Sequence, residues 1–273
     1  MRFALNHSIA PSMPIPDFLA LAAEVGVDAV ELRDGMPPGW DFPETSNVLQ
    51  QDPTILAAMA GDLGLEILSI NALQRFDQWD DHRAEQARAM IAYAAAAGIG
   101  AIVLCPSVAP VGSDPLPSGL TQSLDELQPM LQDAGVRGLV EPLGFPRSSI
   151  RTKDIVDREF QARGNPVCLG VVHDSFHHAI AVDQGFSSNT ALVHLSAVPD
   201  LKLPLDAYGD EHRILVGPDD VIGNVDQVRR LQSIYQGCWS FEPFSSQVGM
   251  SPTLADDLRA SMAYVQQELD SVD

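Results

Sequence analysis

Residues 1–273 of this sequence predict a single (β/α)8 TIM barrel, on three observations. Short apolar runs alternate with helical patterns eight times along the chain. No linker or shift in composition interrupts the alternation. Four of the runs stop abruptly in a polar residue: Val140-Glu141, His173-Asp174, Val193-His194 and Phe241-Glu242. An open doubly wound sheet shares the alternation, but it usually carries a glycine-rich phosphate turn after its first strand, and Leu5-Asn6-His7-Ser8 is not one. In a closed barrel the C-terminal strand ends converge on one mouth, so these four residues become neighbours despite their separation in sequence.

Taken in order, Phe3-Ala4-Leu5 reads as a short strand ending in Asn6 and His7. Ile15, Phe18, Leu19, Ala22 and Ala23 fall at helical spacing over residues 15–25, and Gly26 supplies the stop. Residues 29–33 form a second strand, followed by a Pro- and Gly-rich loop over 34–43. A helix opens near Pro53, acceptable in a first turn, and stops at Gly64. Residues 66–71 form the third strand. The alanine-rich stretch 81–97, closed by Gly98, is a long helix, and 101–105 is the fourth strand. Residues 106–119 hold four prolines and no period, which makes a long loop, either a lid or a surface insertion. Helices near 121–133 and 152–162 precede the strands ending at Glu141 and Asp174, and a weak helical pattern after His177 precedes the strand ending at His194. An irregular stretch, 199–220, and a helix near 225–236 lead to the strand ending at Glu242. Residues 252–269 close the chain as an amphipathic helix with Leu254, Leu258, Met262 and Val265 on one face.

Composition narrows the function classes. Thirty-seven acidic against sixteen basic side chains give a formal charge of -21, which repels polyphosphates and anionic membranes. With no basic patch, neither nucleic acid nor membrane is an expected partner. Cys105, Cys168 and Cys238 are isolated beside apolar residues and read as buried free thiols of a reducing compartment. No secretory signal pattern opens the chain and no apolar run is long enough to span a bilayer, so a cytoplasmic location is expected.

Val171 and Val172 suit a buried pleated environment, whereas Asp174 is costly to bury unless it is paired, protonated or bound to a metal. Glu141, Asp174, His194 and Glu242 together offer three carboxylates and an imidazole, a donor set that suits Mn, Mg, Co, Fe or Zn without choosing among them. A formal ligand charge of minus three in a partly dry site needs a divalent cation to hold it together. His177, three residues past Asp174, is placed to touch a substrate oxygen or to cap a helix. His173 alternates away from Asp174 and reads as structural, as does His178. Arg213 is one of few cations near this acidic mouth. It can hold a developing enolate oxygen or pair locally with Asp210 or Glu211. Asn71 and His7, with Asn6, Gln74 and Glu31, stand at strand ends suited to binding hydroxyls.

The endings Val140-Glu141-Pro142-Leu143-Gly144-Phe145, His173-Asp174-Ser175-Phe176-His177, Val193-His194-Leu195 and Phe241-Glu242-Pro243 resemble the xylose-isomerase-like TIM-barrel superfamily. Within it they are most similar to the branch of inosose (2-keto-myo-inositol) isomerases and ketose 3-epimerases. The segment from Asp210 to Pro218 is similar to the loop that carries a substrate-binding arginine in that branch. The resemblance implies a divalent metal ion held by Glu141, Asp174, His194 and Glu242, with Glu141 and Glu242 doubling as the catalytic acid/base pair. It also implies His177 and Arg213 on the substrate oxygens, and proton transfer through a cis-enediolate. The implied substrate is a small polyol ketone, with a place in carbohydrate metabolism such as inositol catabolism, and homo-oligomerisation is left open. Two features depart from the pattern: Leu195-Ser196-Ala197 stands where many relatives carry an acidic residue, and the stretch 199–210 differs from the short loop of the epimerases. A metal-dependent hydrolase of the endonuclease-like branch and a non-catalytic sugar-binding barrel are the alternatives. The first needs further histidines at early strand ends and a basic groove.

Overall fold

The apolar runs become eight parallel strands that close on themselves in sequence order, as the computed structural model shows for residues 1–37, 40–200, 202–204 and 207–271. The strands are β1 (Phe3–Asn6), β2 (Ala29–Arg33), β3 (Glu66–Gln74), β4 (Ala101–Cys105), β5 (Arg137–Val140), β6 (Leu169–Asp174), β7 (Thr190–Leu195) and β8 (Trp239–Phe241). Pairing of Leu5 with Phe241 closes β1 onto β8. The helices are α1 (Ile15–Val25), α2 (Pro53–Asp62), α3 (Asp81–Ala97), α4 (Leu120–Ala134), α5 (Lys153–Ala162), α6 (Ser175–Ile180), α7 (Asn224–Leu231), α8 (Ser246–Gly249) and α9 (Leu254–Asp270).

The longer helices are tied to the barrel by an apolar stripe. In α1, Ile15, Phe18, Leu19 and Ala22 are buried against the strands. Burying a side chain of the Phe or Leu type contributes roughly 1.5–3 kcal/mol, which is what fixes a helix of this length. The Asp52 carboxylate caps α2 by accepting from the Thr54 and Ile55 amides, and Asp80 caps α3 by accepting from Arg83. Gly98 ends α3 at a φ of 69°, where a side chain would be strained. Inside the barrel, Ala72, Val103, Leu139, Val172 and Leu192 form a small apolar plug. The polar strand ends lie beyond it.

Several elements differ from the sequence expectation. β3 runs on to Gln74, three residues past Asn71. β5 and β8 end one residue short of Glu141 and Glu242, whose amides still donate to Leu104 O (3.1 Å) and Leu195 O (2.9 Å) and stay in line with the barrel. α6 starts at Ser175, before His177, because the Asp174 carboxylate caps it. α7 stops at Leu231 because Tyr235 turns inward and its hydroxyl donates to Cys238 O at 2.6 Å. The four-residue α8 is too short to leave a period in the sequence. Residues 106–119 carry one isolated bridge, Val108 with Ser148, and no strand or helix. Of the two irregular stretches, residues 38–39, 201 and 205–206 lie outside the described residues, as do 272–273 at the C-terminus. Among the described residues no helix is long and apolar enough to cross a membrane.

Candidate metal and active site

At the C-terminal mouth, Glu141, Asp174, His194 and Glu242 each present one donor atom, all within 4.8 Å of one another, and all four residues are buried. The His194 ring faces the centre through Nδ1, which lies 2.9 Å from Glu141 Oε1, 3.1 Å from Glu242 Oε2 and 3.9 Å from Asp174 Oδ2. Its other nitrogen, Nε2, is 3.2 Å from the Glu31 carboxylate. Glu31 is anchored beneath the ring by Ser69 Oγ (2.6 Å) and Asn71 Nδ2 (2.9 Å). A hydrogen bond to Glu31 fixes Nε2 as the protonated nitrogen once the ring is neutral, which leaves the Nδ1 lone pair for a ligand.

Two guanidiniums balance the carboxylates. Arg213 Nη2 donates to Asp174 Oδ2 (2.6 Å) and Glu242 Oε2 (2.8 Å), and its Nε donates to Ser196 Oγ (2.9 Å). Its Nη1 reaches Asp210 at 3.2 Å, so Arg213 makes the local pair and the long-range ones together. Arg33 Nη1 donates to Glu242 Oε1 (3.1 Å) and Asn6 Oδ1 (3.2 Å). The Phe244 ring packs on both guanidiniums, its centroid 5.1 Å from Arg33 Cζ and 4.7 Å from Arg213 Cζ.

The pKa shifts follow from this crowding. Burial opposes charge on Glu242, but His194 and Arg213, then Arg33, outweigh it and hold the carboxyl well below the usual range. Burial likewise opposes a protonated His194, yet Glu242, Glu31 and Glu141 hold its pKa well above the ordinary value. The surrounding carboxylates thus favour positive charge at the centre. Four buried carboxylates, Glu31 included, face two guanidiniums, so one divalent cation with a neutral imidazole closes the charge balance. The donor set, its convergence and its charge all fit such an ion.

Above the cluster lies a cavity of about 660 Å³ lined by Arg33, Glu141, His177, Arg213, Glu242 and Phe244 among others. Asp174 and His194 lie below its floor and are not part of the wall. His177 rests edge-on against Phe145, ring centroids 4.9 Å apart, and its buried Nδ1 has no protein partner among the described residues. Gly144 makes that placement possible. A Cβ there would meet the His177 carbonyl oxygen at 2.2 Å.

Asn71 lines the cavity while its amide nitrogen is held by Glu31 and Ser69. His7 is a correction to the sequence expectation. Beyond β1 the chain enters a short 3-10 turn that carries its ring away from the cavity, where Nε2 meets Met13 O at 2.8 Å and the ring stacks on Phe18. His173 points outward, as expected, with Nε2 2.9 Å from the Gln227 side-chain oxygen. Glu31, expected at a substrate hydroxyl, is absent from the cavity wall and supports His194 from below. Sequence reasoning did not single out Arg33, although its signal was present: it ends a strand and lies two residues after Glu31, on the same face. Cys105, expected as a buried thiol, sits on the cavity wall with Sγ 3.3 Å from Glu141 Oε2, and burial and then Glu141 push its pKa well up.

Fold and cluster together define a TIM barrel with a carboxylate-imidazole metal centre candidate at its C-terminal mouth. The chain belongs to the xylose isomerase-like TIM barrel family, whose family model matches residues 19–268. It is similar to a xylose isomerase domain containing protein from Salmonella typhimurium, at 30% identity and a TM-score of 0.84, over 99% of this chain and 97% of that one. It is also similar to the IOLI protein with a binding zinc atom, at 20% identity and a TM-score of 0.81, over 99% and 98% of the two chains. D-psicose 3-epimerase from Clostridium cellulolyticum, solved with D-tagatose, shares 15% identity and a TM-score of 0.72 over 98% and 99%. At their lower identities the last two show a common fold alone. None of the curated proteins matches the chain.

Proposed function

We propose that the protein is a divalent-metal-dependent isomerase or epimerase of a polyhydroxy ketone, with an inosose as the first candidate substrate. One observation carries this reading: of the four metal-ligand candidates, only Glu141 and Glu242 also line the cavity. Two carboxylates are thus offered to a bound substrate, while Asp174 and His194 hold the centre from behind. The zinc atom in the IOLI structure and the D-tagatose in the epimerase structure bring a metal and a ketose to barrels of the same fold.

Glu141, Asp174, His194 and Glu242 would hold a divalent cation, which would supply Lewis-acid polarisation of the ketone and so acidify the neighbouring C–H. Glu141 takes the proton from that carbon. Among the described residues the Glu141 oxygens meet Cys105 Sγ and His194 Nδ1 and no guanidinium, so no fixed positive charge is hydrogen-bonded to the carboxylate to oppose its taking a proton. In an isomerisation Glu141 gives the same proton to the adjoining carbon; in an epimerisation Glu141 keeps it, and Glu242, having first taken up a proton from solvent, delivers that one to the opposite face. Arg213 and His177 orient the substrate oxygens. Arg213 offers fixed positive charge where the enediolate develops, and the unpartnered His177 Nδ1 is available for a hydroxyl. Phe145, Leu143 and Phe244 make part of the wall apolar and limit water around the intermediate.

The test is deuterium wash-in from D2O into a panel of inososes and ketohexoses, followed by NMR with and without a chelator. Exchange at one carbon that disappears on chelation supports the reading. Absence of exchange across the panel with the metal-loaded protein, or exchange that ignores the chelator, argues against it.

A further inference from the structure

A second cavity of about 520 Å³ adjoins the first, sharing Pro37, Gln74 and Val108 as a common wall. The chain between the two is the end of β2 and the residues after it: Arg33 faces the inner cavity, while Asp34, Gly35 and Met36 face the outer one. Much of the outer surface is apolar, from Met36, Leu49, Met90 and Pro106, which suits the C–H face of a sugar ring. Its charge is unlike that of the rest of the molecule.

The protein has sixteen basic against thirty-seven acidic side chains, yet this cavity is lined by two arginines, Arg75 and Arg83, and one acid, Asp34. The Arg75 side chain is exposed at the cavity rim, makes no hydrogen bond or ion pair among the described residues, and sits at a φ of 55°, a left-handed backbone that is unfavourable for arginine and frequent at binding sites. Among the described residues the side chain of the half-buried Arg83 bonds the Gln86 side chain alone, and its buried Nε has no partner. Burial, and behind it the charge of Arg75, lowers the pKa of Arg83 against the opposing pull of Asp80 and Asp77. Asp34 is the one carboxylate of this wall: its Oδ1 accepts from the Ala72 amide at 2.9 Å, and although burial pushes its carboxyl up to about 6, at neutral pH it offsets one of the two positive charges and leaves the other. Two neighbouring guanidiniums without carboxylate partners, next to an apolar wall, match an anionic group carried on a sugar-like body.

We propose that this outer cavity is a subsite for an anionic sugar unit, so that the substrate is a polyhydroxy ketone joined to a second group bearing a carboxylate or a phosphate. The proposal rests on the isomerase reading for the identity of the first group, and on the outer cavity alone for the second.

The experiment uses matched probes that differ in charge: D-glucuronate against D-glucuronamide, and D-glucose 6-phosphate against D-glucose. Each is titrated into the protein by ligand-observed NMR, before and after the paired substitution Arg75→Gln and Arg83→Gln. The expected result is a preference of roughly tenfold or more for at least one anion over its neutral partner. That preference falls to near unity in the Gln pair and returns in part in the Lys pair, Arg75→Lys with Arg83→Lys, which separates loss of charge from loss of folding. The tighter anion tells carboxylate from phosphate. Failure of both anions to bind, equal binding within each matched pair, or a charge preference that survives the Gln pair overturns the subsite. Deuterium wash-in reads the other half separately: wash-in without charge preference removes only the subsite, and charge preference without wash-in removes only the isomerase.

Discussion

Glu31→Gln isolates the support beneath the candidate metal centre. Glu31 is fully buried, held by Ser69 and Asn71, and 3.2 Å from His194 Nε2. The substitution keeps the shape but removes the charge that orients the ring and makes Nδ1 a stronger donor. Loss of such a support typically weakens metal binding about 10- to 100-fold, or roughly 1.4–2.7 kcal/mol. An opposing effect is present, because Glu31 also strengthens proton binding at His194, and that proton competes with the metal. The net loss is therefore largest at high pH, where proton competition fades. Competition for zinc or cobalt(II) with a chromophoric chelator, across a pH series, reads both effects. Wild-type affinity in the variant at high pH would refute the supporting role of Glu31.

Two further predictions concern stability. Burial holds the His7 imidazole at about 4, below the ordinary 6.5, so the folded state favours the neutral ring while the unfolded chain takes up the proton first. Its stabilisation is complete above about pH 6.5 and is lost as pH falls towards 4, a difference of about 3 kcal/mol. Urea unfolding at pH 7 and pH 4 should show that acid loss reduced by about that amount in His7→Phe, which keeps the stack on Phe18; an unchanged loss would contradict it. Lys153 and Asp183 form an ion pair of 2.7 Å with side chains only 4% and 7% exposed. Lys153→Met should cost roughly 3–5 kcal/mol by stranding the carboxylate, and Asp183→Asn in the same chain should recover much of it, both read by urea unfolding. A Lys153→Met protein as stable as wild type would show that the buried carboxylate needs no ammonium.

The cluster was legible because each of its four ligand candidates interrupts or ends an apolar run, and a barrel brings such interruptions to one rim. What was not legible depends on the direction of a turn or on contacts distant in sequence. His7 follows an apolar run as Asp174 ends one, but the 3-10 turn after β1 swings its ring onto Phe18, and no residue type announces that swing. The local sequence of Arg213 offered Asp210 as a partner, and the bond forms. The bonds to Asp174 and Glu242, 39 and 29 residues away, exist only because β6 and β8 deliver those carboxylates to the same mouth. Arg33 shows the reverse case: strand alternation already placed it beside Glu31 on the inner face, and the pairing with Glu242 across the closed barrel gives that placement its meaning. The outer cavity joins the loops after β2, β3 and β4 to one face of α3, through Arg83, Gln86 and Met90, and nothing in the helical period of α3 tells that those loops fold over it.

The account turns on Glu141 moving a proton beside a bound cation. Glu141→Gln, loaded with metal and given a ketose that undergoes deuterium wash-in with the wild-type protein, tests this most directly, with bound metal quantified in the same sample. The predicted result is wash-in reduced by about two to four orders of magnitude while the metal remains bound. Wash-in at the wild-type rate in the metal-loaded variant would contradict the account.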